Sequence, residues 1–405
     1  MAAPRPQLLA VQASGIIDHC CNGASAPRGE PHFCDLTPHR TCAVDFATLR
    51  EFAPEAGGSQ RVPVEEVERL IAAMPPAVTA AGGSAANTLR GLASGFAVPC
   101  GVVGAVGADA WGREFDDSLR EVGVDTSRLH VDAERCTGRC AVLITPDGQR
   151  TMRTALATAA SLRPEQVRAS GSSWAGVQFV RRVVRASCVP AACPAPRVTR
   201  ARPRAPDSLT AFAFYCPGLV DAVADVARSV GARLVFHLAS FEVVRAFWAP
   251  IVALLASGDV AVVFANEDEA RQLMLGYGVA PEVAGNPGAC GVRRLRPPAP
   301  ARSEAPSTLP AEAALQQLAQ TCSTAVVTLG AQGCVARQGT AVVRVPAIDG
   351  VQCVDSTGAG DLFAAGFMFG VIENLTLASC MRLGCLSGAA VIKVRGRQTC
   401  VAVQQ

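Results

Sequence analysis

The stretch from Val354 to Phe367 constrains the fold of this chain more than any other. An apolar, strand-like run ends in a polar turn that contains Gly358 and Gly360, and a nearly all-apolar segment follows from Leu362 to Ile372. That segment is long enough for about three helical turns, and apolar residues on every side of a helix indicate that it is buried. The stretch therefore predicts a glycine-containing turn that opens a buried helix.

A turn of this kind brings several backbone N–H groups without intrahelical partners into one small volume. These donors and the helix dipole together favour a bound anion, so we expect a phosphate-binding turn rather than a plain strand-to-helix connection. Asp361 lies in the first turn of the predicted helix, where a carboxylate is an ordinary cap. Beside an anion site, the same carboxylate can act as a general base that takes a proton from an attacking hydroxyl.

The spacing of residues excludes the other common phosphate-binding motifs. The segment Gly358-Ala359-Gly360 is followed by Asp361, Leu362 and Phe363, so the third glycine of a dinucleotide-binding fingerprint is missing. The sequence contains no Gly-x-x-x-x-Gly-Lys-Ser/Thr, which excludes a P-loop, and it lacks the motif set of the protein kinases.

Composition places the chain among globular proteins with a sizeable core. Of its 405 residues, 50% are hydrophobic and 18% are charged, and the net charge is +3. The arginines are scattered or confined to inserts, so we expect no nucleic-acid partner. No apolar run is long enough to span a membrane, and the segment before the first strand-like run is too short for a signal peptide.

The 17 cysteines do not form a metal or disulfide pattern. No Cys-x-x-Cys pair occurs, and most cysteines lie in apolar runs, where they behave as small hydrophobic side chains. Without a secretory signal we expect reduced thiols, no structural zinc site, and a cytoplasmic location, with a plastid as the alternative.

Strand, turn and helix patterns alternate along the chain, which predicts an α/β fold with a mostly parallel, doubly wound sheet flanked by helices. The first predicted strand runs from Leu8 to Ile17 and is ended by Gly15-Ile16-Ile17-Asp18. Asp18 is either a turn residue or a ligand-binding acid at the carboxyl end of a strand.

Gly82 and Gly83 form a predicted loop that lets the backbone approach a ligand closely. Ser84 is expected to cap the helix that follows from Ala85 to Ala93. The alternative is a capped turn with no ligand.

Cys140 to Thr145 and Arg150 to Thr154 read as a hairpin with its turn at Asp147-Gly148. Arg150 or Arg153 could steady a transferred phosphate, since a guanidinium matches phosphate geometry, although a solvated arginine is the simpler interpretation.

Two segments rich in proline and arginine interrupt the pattern, about 181–210 and about 284–310. Such segments cannot easily form core, and we expect disordered inserts there. Between them, Asn266 and Glu269 open a helix with the spacing of an ordinary capping box.

The segment Asp355-Ser356-Thr357-Gly358-Ala359-Gly360-Asp361 resembles the C-terminal signature of the ribokinase-like (PfkB) carbohydrate and nucleoside kinases. By this resemblance, the backbone of Gly358, Ala359 and Gly360 forms an anion hole and Asp361 is the catalytic base. The resemblance implies a single ribokinase-like domain over residues 1–405 with a small β lid, which would comprise about 19–62 and 131–158.

Other segments also resemble this family. Asp18 matches a position that binds substrate hydroxyls, and Gly82, Gly83 and Asn87 match its substrate-binding segment. For the nucleotide, the resemblance implies a set of contacts made by Asn266, Glu269, Thr328, Gly330, Gly333 and Thr357.

The implied cofactors are ATP and Mg²⁺, with a monovalent cation such as K⁺ as a further candidate. Glu269 and Asp355 are the implied metal-associated residues, and magnesium does favour carboxylates together with waters and substrate phosphates. His237 is a departure, since many relatives carry an aspartate near this position.

Three hypotheses follow. The first is ATP-dependent phosphoryl transfer to a sugar hydroxyl, by a monomer or homodimer with a small-molecule substrate. The second is a nucleoside kinase, because Arg150–Arg153, Leu238–Glu242 and Phe264–Ala270 resemble a plant and algal adenosine-kinase-like branch. The third is a kinase-fold binding protein without turnover, which His237, the inserts and the end of the chain soon after Arg397 favour and which the intact Asp361 motif opposes.

Overall fold

The computed structural model describes residues 8–11, 16–21, 58–73, 78–144, 150–170, 207–278 and 309–393. The predicted turn at Asp147-Gly148, residues 181–206 and 284–308 of the predicted inserts, and the chain after residue 393 lie outside these ranges.

The described elements alternate between strands and helices as expected. In chain order they are β1 (Leu8–Val11), β2 (Ile16–Cys21), β3 (Ser59–Arg61), α1 (Val64–Ala73), β4 (Val78–Gly82), α2 (Ser84–Phe96), β5 (Cys100–Gly107), α3 (Ala110–Glu121), β6 (Asp125–Asp132), β7 (Gly138–Ile144), β8 (Arg150–Ala155), α4 (Pro164–Ala169), β9 (Asp207–Thr210), α5 (Leu219–Ser229), β10 (Leu234–His237), α6 (Phe241–Ala246), α7 (Trp248–Ala256), β11 (Val260–Asn266), α8 (Glu267–Gly276), α9 (Leu309–Leu318), β12 (Thr324–Thr328), β13 (Cys334–Gln338), β14 (Ala341–Val345), α10 (Ala359–Ile372) and α11 (Leu377–Val391). Short 3₁₀ helices occupy Ala157–Ala160, Ala211–Tyr215 and Gly330–Gln332.

Nine strands form the main sheet in the order β14-β13-β12-β11-β10-β9-β1-β5-β6. The seven strands from β12 to β6 in this order pair in parallel, whereas β13 and β14 are antiparallel additions at one edge. Buried side chains of this sheet and of the helices packed on it form one large hydrophobic cluster. The predicted class, an α/β fold with a mostly parallel sheet, is confirmed.

A second sheet of five strands has the order β3-β8-β7-β2-β4. The predicted hairpin strands are present as β7 and β8, which pair antiparallel. Cys140, Val142 and Ile144 form a small core of their own here, with Met152 packed against it. This sheet also includes β4, which lies outside the two segments predicted for a lid.

The predicted first strand, Leu8 to Ile17, is wrong as a single element. β1 belongs to the main sheet, whereas β2 belongs to the small sheet, where Asp18 pairs with Ala80 and Cys140. Asp18 therefore does not end a strand of the main sheet. Two adjacent strands with apolar residues give one continuous hydrophobic pattern even when they enter different sheets.

The predicted insert at about 181–210 is wrong at its end. Residues 207–210 form β9, which lies between β1 and β10 in the centre of the main sheet. Four residues are too few to show strand periodicity, so the proline-rich composition before them dominated the prediction. The predicted insert at about 284–310 also extends too far, because α9 begins at Leu309.

Helix α10 is central to the structure. Phe367 is 1% exposed, Ala364 and Ala365 are 0% exposed, and the helix packs on both α2 and α11. The predicted buried helix is confirmed, with a start at Ala359. Among the helices of the described ranges, none is both long and apolar enough to cross a membrane.

Candidate active site

The turn before α10 is fixed by its own backbone contacts. Gly358, the residue before the helix, has φ 80°, a left-handed conformation that costs glycine little. Asp355 is 2% exposed, and its Oδ1 accepts a 2.8 Å hydrogen bond from the N–H of Thr357. The buried hydroxyl of Thr357 has no hydrogen-bond partner among the described residues. The turn thus places the first N–H groups of α10 in a fixed direction.

The carboxylate of Asp361 is held by two side chains of α2. Ser84 Oγ donates to Oδ1 and Asn87 Nδ2 donates to Oδ2, each over 2.6 Å. Thr88 Oγ1 also donates to the backbone carbonyl of Asp361 over 3.2 Å. Hydrogen bonds to an ionised group are short and strong, so these contacts fix the direction of the carboxylate.

The predicted capping role of Ser84 is therefore wrong. The residue that caps α2 is Gly83, with φ 95° and no side-chain hydrogen bond, and Ser84 is the first helical residue. Its hydroxyl donates instead to the carboxylate of Asp361 in α10, 277 residues further along the chain.

Asn87 is 1% exposed, and Arg90 sets the orientation of its amide. Arg90 Nη1 donates to Asn87 Oδ1 over 3.3 Å, so the amide nitrogen of Asn87 turns towards Asp361. Arg90 is itself held by the carbonyl of Ala81 and the hydroxyl of Ser118, over 3.0 and 2.8 Å. Sequence reasoning missed Arg90, although its spacing of three from Asn87 puts both on one face of a helix.

Four central strands of the main sheet end side by side. Thr210 of β9 is in register with His237 of β10, and Asn266 of β11 is in register with Thr328 of β12. Because these strands are parallel, their carboxyl ends meet at one edge, which is where open α/β sheets bind ligands. All four residues line one cavity together with Asp361.

Asn266 and Glu269 form the predicted capping box. Asn266 Oδ1 accepts from the N–H of Glu269, and the Glu269 carboxylate accepts from the N–H and Nδ2 of Asn266, over 2.9 to 3.0 Å. Burial raises the pKa of Glu269 to about 7, against the opposite effects of the Asn266 hydrogen bond and the nearby Arg150 charge.

The two arginines of β8 have different surroundings. Arg150 lines the cavity, and its Nη1 donates to the carbonyl of Ser356 in the turn over 3.0 Å. Arg153 is 3% exposed, and its Nη1 donates to the carbonyl of Met152 over 3.1 Å. Arg150 is therefore the one placed beside the turn at Gly358.

His237 is 6% exposed and lines the same cavity. Its ring stacks on that of Phe264 at 4.9 Å and 29°. Burial lowers the pKa of His237 to about 4, which outweighs the opposite effect of the Asp361 carboxylate, so the imidazole is neutral near pH 7.

Seven of the fifteen predicted site residues line the cavity, together with several residues that sequence reasoning missed. Its complete lining is Ser59, Gly83, Ser84, Ala85, Cys140, Arg150, Met152, Thr154, Leu156, Thr210, Phe212, His237, Ala239, Phe264, Ala265, Asn266, Glu269, Thr328, Gly358, Gly360, Asp361 and Phe363. Met152 of β8, Leu156 directly after β8 and Phe212 of the 3₁₀ helix Ala211–Tyr215 give it apolar side chains. Local sequence patterns did not reveal this set, because Phe212 is far along the chain from the other two.

Some predicted residues lie elsewhere in the described ranges. Gly330 begins the 3₁₀ turn after β12 and Gly333 follows it, with φ 55° and 88°, and both are outside the lining of this cavity. A Cβ on Gly333 would lie 2.1 Å from the carbonyl of Val345, so packing alone accounts for this glycine. Gly82 ends β4, and for Asp18 the structure gives only its place in β2.

The donors around the cavity fit magnesium bound through a substrate rather than a protein cage. No group of three or more His, Cys, Asp or Glu suited to a metal occurs in the part of the chain that the structure describes. Magnesium usually keeps several waters and uses one or two carboxylates together with substrate phosphates. Glu269, at the cavity wall, suits that mode, whereas Asp355 accepts a hydrogen bond within the turn.

Comparison with known proteins gives a family match over most of the chain. The sequence profile of the pfkB family carbohydrate kinases matches residues 64–276 and 301–404. The ribokinase of Lactococcus lactis is 38% identical over 73 residues, and the nucleoside kinase of Methanocaldococcus jannaschii is 31% identical over 74 residues. Each of these matches covers 18% of this chain and 24% of the relative, so the aligned segments span about a quarter of those proteins.

Solved structures match over nearly the whole length. The adenosine kinase from Sinorhizobium meliloti has a TM-score of 0.72 at 25% identity, covering 98% of both chains. A probable sugar kinase from Rhizobium etli has a TM-score of 0.71 at 24% identity, covering 97% of this chain and 94% of that one.

Proposed function

Because this chain belongs to the pfkB family of carbohydrate kinases, we propose that it transfers the terminal phosphoryl group of ATP to a hydroxyl of a sugar. The observation that carries this proposal is the position of the Asp361 carboxylate. It lies in the first turn of a buried helix, close to Gly358 with its left-handed backbone. Two hydrogen bonds of 2.6 Å hold the carboxylate in the lining of the cavity.

Asp361 takes the proton of the acceptor hydroxyl as that oxygen attacks the phosphorus. Each carboxylate oxygen already accepts one hydrogen bond, and a second lone pair on each stays available for the incoming proton. Ser84 and Asn87 keep the carboxylate in place without competing for that proton, because both act as donors.

Of the backbone N–H groups from Gly358 to Asp361, that of Ala359 donates to the carbonyl of Ser356 over 3.2 Å, and the other three would face charge that develops on the phosphoryl oxygens. Donors fixed in advance contribute strongly to such reactions, because they need no reorganisation as the charge shifts. Arg150 adds a positive charge beside the same turn.

Asn266, Glu269 and Thr328 line the same cavity at the carboxyl ends of β11 and β12, where they would hold the nucleotide and its magnesium. Magnesium, when bound, neutralises charge on the nucleotide phosphates. Gly330, Gly333 and Thr357 remain predicted contacts of the nucleotide, and K⁺ remains a predicted cation.

A nucleoside is the second candidate acceptor. A base needs an apolar or aromatic surface, and Met152, Leu156 and Phe212 supply one in the cavity wall. The predicted contacts to the acceptor hydroxyls, the same for a sugar and for a ribose, are Asp18, Gly82, Gly83 and Asn87. Of these, Gly83 lines the cavity, whereas Asn87 is buried with its amide bonded to Asp361 and Arg90.

The test is ATP consumption by the purified protein with a panel of sugars and nucleosides, for wild type and Asp361→Asn. Loss of the base is expected to lower acceptor-dependent turnover by about 100-fold or more. Asp349→Asn, at an exposed position, makes the same change of charge outside the cavity and should retain full turnover.

Two results would contradict the proposal. Equal turnover in wild type and Asp361→Asn would contradict the role of the Asp361 carboxylate as the base. Saturable ATP binding without turnover on any acceptor would favour a kinase-fold binding protein.

A further inference from the structure

Two cysteines that are 51 residues apart in the sequence lie in contact in the folded protein. Sγ of Cys334 in β13 is 3.6 Å from Sγ of Cys385 in α11, and both thiols are free. Local spacing does not reveal this pair, because the contact arises only where α11 packs on β13. The fold thus brings together two side chains that can be joined covalently.

The distance between the two sulfurs is short enough for a bond to form without a change of fold. A disulfide needs about 2.05 Å between its sulfurs, so they would have to close by about 1.5 Å. Rotation about the two Cα–Cβ bonds can share this movement. Both residues belong to regular elements that pack on each other, so the sulfurs stay within reach of one another.

The two thiols differ in access and in reactivity. Cys334 is 1% exposed, whereas Cys385 is 8% exposed and lies in the same helix as the exposed Arg382 and Leu386. The hydrogen bond with Cys334 lowers the pKa of Cys385, helped by the charge of Arg382 and opposed by burial. The same contact, together with burial, raises the pKa of Cys334. Because the thiolate is the nucleophile, Cys385 is the sulfur that reacts first.

We propose that Cys334 and Cys385 form a redox modification site, which hydrogen peroxide converts to a disulfide and a dithiol reductant restores. The inference is independent of the proposed kinase function, because it needs no substrate in the cavity. It adds a covalent state to thiols that are reduced in the resting protein.

The reaction has two steps. The Cys385 thiolate attacks one oxygen of the peroxide, the S–O bond forms as the O–O bond breaks, and the hydroxide that leaves takes up a proton to become water. The Cys334 thiol then attacks the sulfenic sulfur, the S–S bond forms as the S–O bond breaks, and the leaving hydroxide takes the Cys334 proton to form a second water. The two sulfurs lose two electrons, and the two oxygens of the peroxide gain them.

The bond would fasten the antiparallel edge of the main sheet to the helix that supports α10. Cys334 begins β13, and α11 packs along α10, whose first turn contains Asp361. A crosslink between distant residues restricts the unfolded chain. The crosslinked protein is therefore expected to unfold at a higher temperature than the reduced protein.

The test treats the folded, full-length protein with hydrogen peroxide and then blocks the remaining thiols with N-ethylmaleimide before any denaturant is added. Mass spectrometry maps the tryptic peptides with and without dithiothreitol. Peptide 383–393 has Cys385 as its only cysteine, and its expected partner is peptide 303–337, in which fragmentation distinguishes Cys334 from Cys322. The expected result is a linked pair of peptides that dithiothreitol separates.

Two variants serve as controls. Cys334→Ala should lose the linked peptides and any rise in unfolding temperature after peroxide treatment. Cys380→Ser changes another buried cysteine of α11, 2% exposed, and should retain both.

Three results would overturn the inference. The first is peroxide-treated wild type without the linked peptides. The second is a link that forms only after the protein has been unfolded in denaturant. The third is a linked wild type that does not unfold at a higher temperature than Cys334→Ala treated in the same way, since the native fold would then not hold the two sulfurs within bonding reach.

Discussion

Nδ2 of Asn87 donates a 2.6 Å hydrogen bond to Oδ2 of Asp361, although the two residues are 274 positions apart in the sequence. The pair joins α2 to α10 at the edge of the cavity. Arg90 orients the amide from behind, so the direction of the carboxylate depends on the packing of two buried helices. A change in the packing of α2 against α10 would therefore also change the direction of the Asp361 carboxylate.

Asn87→Ala removes one donor from this carboxylate and is expected to lower the free energy of unfolding by about 1.5–3 kcal/mol, the usual range for hydrogen bonds to charged groups. Asn87→Asp should cost more, because it places a second carboxylate at hydrogen-bonding distance from Asp361. Denaturant unfolding at pH 7 measures both. Equal stability of the two variants would mean that the Asn87 amide does not face the ionised carboxylate in solution.

Gly366→Ala should destabilise the protein, because an added Cβ would lie 2.4 Å from the carbonyl of Leu383 in α11. Overpacking of this kind typically costs about 1–3 kcal/mol. Gly360→Ala, in the first turn of the same helix, is the matched control, since its Cβ would meet no atom within 4 Å. The control should gain about 0.5–1 kcal/mol, as alanine does over glycine in a helix.

The same control variant also reports on the anion turn. If a phosphoryl group approaches the backbone at Gly360, the added methyl group should lower turnover while the unfolding midpoint stays level or rises. Unchanged turnover in Gly360→Ala would mean that the ligand does not approach this glycine closely.

Arg150→Ala should lower turnover strongly with little change in stability, because Arg150 lines the cavity beside the turn. Loss of an arginine from a phosphoryl-transfer site can lower the rate by about 1000-fold. Arg153→Ala should instead lower the unfolding midpoint, since Arg153 is 3% exposed and bonded within the small sheet. Steady-state turnover and thermal unfolding of both variants separate the two roles, and a reversed pattern would contradict them.

The raised pKa of Glu269 makes the free energy of unfolding depend on pH. Its pKa is raised from the ordinary 4.5 to about 7, so between these values the folded protein holds a proton that the unfolded chain has released. The contribution of Glu269 to stability is thus fully present below pH 4.5 and is lost as the pH rises to about 7. At its steepest, this loss is about 1.4 kcal/mol per pH unit.

The difference in unfolding free energy between wild type and Glu269→Gln should therefore fall as the pH rises from 4.5 to 7. Glu267→Gln removes another acid from the first turn of α8 and serves as the control. The same slope for both variants would contradict the assignment to Glu269.

Local patterns predicted the elements whose signal is contained in a short stretch. The turn at Gly358 and the apolar segment of α10 belong to this group, and so does the capping box of Asn266 and Glu269. In each, the residues that interact are at most a few positions apart, so spacing alone is informative.

The predictions that failed concern residues whose partners lie far along the chain. Ser84 is a good cap by local chemistry, yet a carboxylate 277 residues away engages its hydroxyl. The apolar run from Leu8 to Ile17 does not show that β1 and β2 enter different sheets. His237 was visible as a departure from relatives, but its burial and its stacking on Phe264 follow only from three-dimensional packing.

The pairing of α2 with α10 also bears on how the protein is made. At about 5–20 residues per second, a ribosome needs roughly 14 to 55 s to advance from Asn87 to Asp361. Throughout that interval the face of α2 that will meet α10 has no native cover. A nascent chain therefore carries this face of α2 uncovered until α10 has been synthesised, and chaperone occupancy should be greatest before residue 372 emerges.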